Sequence, residues 1–339
     1  MFKPTVIALG LTAVLSGCSV TEVCPPTANV DLPKSSVPAK SSASVKVIVL
    51  PVEISYKDAT ASRMKAAMLN KLEGQVLATG TKLIDRHVAK KLNKEIRLAE
   101  KSGRYNNKGV PIADYAVITE INSSDLSRAF TKRRTYKDKD GDYHTIPASC
   151  SFRAEVTANA KVYALPSMKL VKRIELKGDE SAKNETNNSR CPINQSSQNT
   201  MARTASERAV KYSMELQEML AATAPVEAMR QCEKSGYMVR IGAGTNRNVQ
   251  PKADVDFSQS IKNSRGEIET FTLGKGYIVN NKHDAVKPNY SWVSIDEELA
   301  QKIHAGDSAT VHTGIQCALA DIDCQLEKAK NKVKETAGL

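Results

Sequence analysis

Val45-Lys46-Val47-Ile48-Val49-Leu50 is a short β-branched run that reads as a buried strand, and the order of elements after it sets the fold class. Over residues 59–78, Met64, Ala67, Met68, Leu72 and Val76 recur at helical spacing, and Gly80 closes that helix. Thr81-Lys82-Leu83-Ile84 reads as a second strand. Asp85 then caps a helix whose face is Val88, Leu92, Ile96 and Ala99 and which ends at Gly103. Tyr115–Ile121 is a further strand, and Phe152–Ala164 turns at Leu165-Pro166-Ser167 into a hairpin with Met168–Leu176. A third helix carries Met201, Ala205, Ala209, Tyr212, Leu216 and Leu220 on one stripe. The order β-α-β-α-β-β-β-α predicts an α+β fold, a mixed sheet covered by helices, over residues 45–225.

Pro225 separates this region from a different pattern. Tyr237–Ile241, Val255–Phe257, Glu267–Leu273, Tyr277–Val279, Trp292–Ile295 and Ser308–His312 are short strand-like runs punctuated by Gly, Asn and Asp. They predict a small β-rich, barrel-like domain over 226–317, followed by a charged tail, 318–339.

Upstream of Val45 the composition changes. Residues 19–44 hold Pro25, Pro26, Pro33 and Pro38 among Ser, Ala and Thr, which reads as a tether unable to bury enough surface to fold. Lys3 and the apolar run Val6–Leu15 read as a secretory signal over 1–17. Its end, Leu15-Ser16-Gly17-Cys18, resembles a bacterial lipobox, which implies cleavage before Cys18 and acylation (palmitate among the chains) of that residue. Ser19 in place of the Asp of inner-membrane retention implies the outer membrane, facing the periplasm. Cys24, Cys150, Cys191, Cys232, Cys317 and Cys324 suit a disulfide-permissive compartment, and sequence leaves fifteen connectivities open. Cys150 with Cys191, flanking a strand pair, and Cys232 with Cys317, bracketing the C-terminal domain, are the candidate bridges. No CxxC spacing and no His beside them suggests a metal, and no cofactor is expected.

Composition narrows the function classes. Of 339 residues, 41% are hydrophobic and 25% charged, a globular balance with no second apolar span, so a multi-span transporter is excluded. Aromatic residues, at 5%, are too few for extended base or sugar stacking. The net charge of +12 falls only to +11 once residues 1–17, with one Lys and no acid, are removed. Six of the cations, Arg128, Lys132, Arg133, Arg134, Lys137 and Lys139, form a basic run. It reads either as a patch for an anionic partner, whether peptidoglycan, lipid phosphate or an acidic protein face, or as a solvated loop. A lipid anchor sets such a protein apart from nucleic acid.

Residues 46–222 resemble the family of the curli-secretion lipoprotein (CsgG), and the core is similar to the TolB N-terminal domain. The resemblance is carried by Ala66-Ala67-Met68-Leu69-Asn70-Lys71-Leu72, Leu83-Ile84-Asp85-Arg86-His87, Leu92-Asn93-Lys94-Glu95, Tyr105-Asn106-Asn107 and Ile112-Ala113-Asp114-Tyr115-Ala116-Val117. It implies an envelope lipoprotein, possible homo-oligomers and, in the secretion pore, two membrane hairpins per subunit. Those hairpins are missing here: 122–149 carries ten charges, including Asp125, Arg128 and Lys132, and 177–200 is polar, so both are expected to be wet loops. Glu120 stands where the family has Gly, and Tyr56-Lys57-Asp58-Ala59 has no counterpart of its constriction.

No catalytic constellation emerges. His87, His144, His283, His304 and His312 are scattered, without GxSxG, HExxH or a Walker loop. Gly242-Ala243-Gly244 reads as a turn. Asp138-Lys139-Asp140-Gly141-Asp142 looks like a calcium loop but has Ser149 where the distal acid belongs. The reading is a non-enzymatic adaptor or assembly factor of an envelope machine for secretion, flagella or wall synthesis. An oligomeric export pore is the alternative, and a wall-acting enzyme using His144 or His304 is a third.

Overall fold

The computed structural model describes residues 22–42, 45–102 and 113–312, with residues 322, 325, 326 and 329 beyond them. In chain order the elements are β1 (Asn29–Val30), β2 (Lys46–Val49), β3 (Glu53–Ile54), α1 (Ala61–Ala78), β4 (Lys82–Leu83) and α2 (Arg86–Ser102). Next come β5 (Tyr115–Thr131), β6 (Arg134–Lys137), β7 (Tyr143–Ile146), β8 (Ser149–Ala164), β9 (Lys169–Glu185), α3 (Gln195–Lys211) and α4 (Glu215–Met219). The last group is β10 (Ala222–Cys232), β11 (Gly236–Ile241), β12 (Asp254–Lys262), β13 (Ile268–Ile278), β14 (Ser291–Ile295), α5 (Glu297–Lys302) and β15 (Ser308–His312).

The quoted strand explains the first body. β2 lies between β4 and β5, parallel to both, in a mixed sheet of order β4-β2-β5-β8-β9 with β3 beside β5. Val47 and Val49 face a core made with Met64, Met68, Leu72 and Val76 of α1 and Met201, Ala205 and Ala209 of α3. Ile48 and Leu50 face the other way, onto Ala89, Ile96 and Ala99 of α2. Helices on both faces require a strand without polar alternation, which is what Val47–Leu50 supplies. At Gly178 the backbone of α3 rests on β9: a Cβ there would lie 2.2 Å from the Ala205 carbonyl oxygen and 2.3 Å from the Ala209 nitrogen.

Three features depart from the expectation. β5 runs on to Thr131 and β9 to Glu185, so much of the two segments read as wet loops is strand. They stay paired because β8 continues between them, with Phe152, Ala154 and Val156 buried toward the α1–α3 core. The third helix breaks after Lys211, where the Tyr212 N–H bonds the Arg208 carbonyl, and α4 starts anew with Leu216 buried.

The second body is a closed barrel. Its strands run β10-β11-β14-β13-β12-β15, and β15 pairs back onto β10. Phe257, Val239, Ile241, Val255 and Val293 share the inward face and are buried in its core. β10 is the closing strand, where the sequence pattern puts a break at Pro225. Its first half, Ala222–Pro225, pairs with β15 and its second, from Val226, with β11; Pro225, which has no N–H, sits at the change of partner, just before the bulge between Val226 and Ala228. The segments read as Glu267–Leu273 and Tyr277–Val279 are one strand, β13, passing through Gly274 and Gly276.

Residues 22–42 are not a free tether. Cys24 is bonded to Cys232, with Cα atoms 5.6 Å apart, and β1 pairs with Arg230 and Met229 of β10. Further along, the Ser35 N–H donates to the Ala305 carbonyl and the Ala39 N–H to Gly306, each at 2.8 Å. Ser42 reaches Thr223, its hydroxyl accepting from the Thr223 N–H at 2.8 Å. The segment has too little apolar mass for a core of its own, but Cys24, Val30 and Leu32 need only cover the barrel's. This overturns the Cys232–Cys317 expectation, since Cys24 takes Cys232. The other bridge joins Cys150 and Cys191, Cα atoms 5.5 Å apart. Residues 1–17, Cys18, Cys317, Cys324, Tyr105–Asn107 and nearly all of the tail lie outside the described residues.

Candidate functional site

The basic run starts on β5 at Arg128 and passes through Lys132 and Arg133 into a two-stranded ribbon, β6 and β7, at the far end of the β5–β8–β9 sheet. Cross-strand pairs hold its two strands together. On one face Tyr136 stacks on His144, ring centroids 5.5 Å apart. On the other, Lys137 lies 5.5 Å from the Tyr143 ring centre and the Thr135 and Thr145 hydroxyls are 3.2 Å apart. The strands turn at Asp138–Asp142, where Gly141 has φ +95°. The Asp138 carboxylate accepts from the Asp140 and Asp142 N–H groups at 3.0 and 2.9 Å and contacts His144 Nε2 at 2.5 Å. Those bonds, His144's first, hold its carboxyl below the ordinary carboxylate range. The same bonds spend the carboxylate, so the segment that looked like a calcium loop is a hairpin turn. Among the described residues no group of three or more His, Cys, Asp or Glu could hold a metal ion.

The base of the ribbon is buried while its tip is bare. Ala148, Ser149 and Cys150 are buried, and the Cys150–Cys191 bridge ties the loop after β9 against β8. Lys132, Arg133, Arg134, Lys137 and Lys139 are all exposed, as is Arg128 at the end of β5. None of the six is in an ion pair among the described residues. Over 128–142 these six cations face only Asp138, Asp140 and Asp142, a local balance of +3. Tyr136 and Tyr143 are 49% and 75% exposed, so the patch offers flat apolar rings between the charges.

Beside the ribbon, the outer face of the sheet holds a shallow groove of about 400 Å³. Ser127, Ala129, Ser151 and Ser181 floor it, with Arg153 and Lys183 at its sides. Register brings them together: Ser127 pairs with Arg153 and Arg153 with Ser181, while Ala129 pairs with Ser151 and Ser151 with Lys183. Arg153 is held by Glu155 at 2.9 Å and Asp179 at 3.5 Å. The sequence pattern ends these strands at Ile121 and Leu176, whereas β5 and β9 run on to Thr131 and Glu185 and only their outer halves align these residues.

The remaining candidates disperse. His87 is exposed at the start of α2, and His283 lies in an exposed turn. His304 Nδ1 sits 2.8 Å from Gln259 Nε2, and its N–H donates to Asp307, a buried turn-forming carboxylate, at 2.7 Å. His312 contacts Asp256 at 3.0 Å across two barrel strands. Gly244 begins a short 3₁₀ turn, where a Cβ would lie 1.9 Å from the Lys287 carbonyl oxygen, so close backbone packing accounts for it. Both faces of the long sheet are occupied, one by helices and the other by charges such as Asp125, Arg153, Glu155 and Asp179. A lipid-facing strand would need one apolar face. No helix among the described residues is long and apolar enough to cross a membrane.

No family model and no curated protein matches the chain. Among solved structures it is similar to the lipoprotein GNA1162 from Neisseria meningitidis, at 13% identity and a TM-score of 0.23 over 45% of this chain and 88% of that one. A minor lipoprotein from Acinetobacter baumannii aligns at 10% identity and a TM-score of 0.24, covering 52% and 90% of the two chains. A neuraminyllactose-binding hemagglutinin homolog from Helicobacter pylori, itself named as putative, aligns at 9% identity and 0.31 over 57% and 96%. At such scores the likeness carries neither fold nor role across.

Proposed function

We propose that this protein is a lipoprotein of the bacterial outer membrane, facing the periplasm, that serves as a non-enzymatic adaptor or assembly factor of an envelope machine. The ribbon carries this reading. Six exposed cations without an ion pair among the described residues run from the end of β5 through the ribbon, beside two exposed tyrosines, so their arrangement is free to suit a partner. Their sign selects an anionic partner, an acidic protein face foremost and peptidoglycan carboxylates second. Attraction of this kind steers encounter and weakens as salt rises. The proposal invokes no cofactor.

A photo-reactive amino acid at Tyr143 in living cells is expected to yield one discrete protein adduct. The adduct is lost when Lys132, Arg133 and Arg134 are replaced by Glu, while thermal stability stays unchanged because all three are exposed. Adducts that survive charge reversal would remove the ribbon from the binding surface. An adduct only to sacculi would replace the protein partner with the wall itself.

A further inference from the structure

The barrel has two distinguishable ends. β11 runs from Gly236 to Ile241; Gly236 pairs with Cys232 of β10, and Tyr237 with Ile295 of β14, so these residues mark one end. Ala222, Ile241 and the 244–249 loop mark the other, where Asn248 Nδ2 donates to the Ala78 carbonyl at the end of α1 at 2.5 Å. β13 runs antiparallel to β14 and joins it only through Tyr277 and Ile278. Its earlier part, with β12, therefore projects past Ile295 as a hairpin finger whose tip, 263–267, lies beyond the Cys232 end.

That finger exposes apolar side chains on both faces. Ile268 is 63% exposed, Phe271 47% and Ile261 37%. Ile261 sits opposite Glu269 and diagonal to Phe271 on one face, and Ile268 sits opposite Lys262 on the other. A flat protein surface would cover one face only; apolar groups on both suit end-on entry into a medium that surrounds the tip. The charges near it, Lys262 and Arg265 against Glu267 and Glu269, balance, so entry is driven by apolar burial rather than attraction to anionic lipid.

The strap says what that medium is. Counted as a free tether, the chain from Cys18 to Val45 would reach about 95 Å at full extension. Bridged at Cys24, it is a six-residue leash of about 21 Å from Cys18 to the barrel end that holds Cys232. We infer that the β12–β13 tip is a membrane-contacting finger, seating Ile261, Ile268 and Phe271 in the headgroup boundary of the phospholipid bilayer that holds the acylated Cys18. This rests on the lipoprotein reading above. The barrel then stands on the membrane, and the α/β body with its ribbon is held away from it.

The test uses full-length protein purified from cells and reconstituted in phosphatidylethanolamine–phosphatidylglycerol vesicles, with Trp292 retained and Ile268→Trp, Phe271→Trp or Tyr143→Trp added. Flotation is read first. Lipids brominated along the upper acyl chain are expected to remove about half of the fluorescence added at 268 and 271, as for rings ~5–10 Å into the boundary. Added fluorescence at 143 is expected to be unchanged, and doubling the salt is expected to leave all three values as they were. If the chain floats and neither 268 nor 271 is quenched, the finger is refuted and the anchor stands. If the chain does not float, the anchor reading falls and the finger falls with it. The positions are exposed, and urea unfolding followed at Trp292 reports whether each variant is folded.

Discussion

Replacing Cys24 and Cys232 by Ser cuts the longer of the two covalent links without touching the barrel interior. The link closes a loop of 208 residues that contains the α/β body, and with that whole loop unfolded chain entropy predicts about 5 kcal/mol of stabilisation, less when the α/β body stays folded inside it. The corresponding figure for Cys150–Cys191, separated by 41 residues, is about 4 kcal/mol. The two links act on different cores, and Trp292, the single tryptophan, sits on one of them. Its ring lies 4.2 Å from the Arg230 guanidinium, whose Nη1 donates to the Cys24 carbonyl at 2.6 Å. Fluorescence of Trp292 in urea therefore follows the barrel and the strap together. With a slope of about 1–3 kcal/mol per molar, the double serine variant is expected to unfold at roughly 2 M lower urea than the native chain. The Cys150→Ser, Cys191→Ser variant is expected to leave the Trp292 transition in place. Superimposable curves for native chain and strap variant, or an equal shift from the other bridge, would refute the reasoning.

Gly178→Ala is expected to destabilise the α/β body by about 2 kcal/mol or more, since the methyl group would meet the α3 backbone; an unchanged melting temperature would contradict that packing. Burial first, and then the charge of Glu100, hold the Tyr163 phenol up at about 12. An unfolded chain loses that proton near pH 10 and so binds fewer protons between pH 10 and 12. Stability therefore falls as pH rises through that window, and Tyr163→Phe is expected to flatten the slope in unfolding midpoints measured across it. Arg247 is buried beside the end of α1, its guanidinium bonded to the Ser42 carbonyl and its Nε and Nη2 unpartnered. Burial lowers its pKa. Arg247→Met, which keeps the volume and removes the charge, is expected to hold stability within about 1 kcal/mol or raise it, and calorimetry showing a larger loss would mean the charge is compensated.

The α/β body was legible because each face of each element has its own period. Met64, Met68, Leu72 and Val76 announce α1, and the unbroken Val47–Leu50 run announces a strand covered twice. What hid the rest was non-local. β10 looked broken at Pro225 because nothing local says that a strand changes partners there. The outer halves of β5 and β9 looked like loops, since Arg128, Asp125, Asp179 and Lys183 are polar; their pairing follows from β8 lying between them. The strap looked unfolded because its few apolar groups are cover for another segment's core, 208 residues away at Cys232. Among site residues, the six cations were visible as a run. The serines of the groove were not, because only register unites them.

Mass spectrometry of the N-terminal peptide of the mature protein, isolated from cells, tests the central claim most directly. A peptide that begins at Cys18 and carries thioether-linked diacylglycerol with an amide-linked acyl chain is the predicted result, and Cys18→Ser abolishes the modification. A mature chain that begins elsewhere, or a Cys18 without acyl groups, would contradict the account.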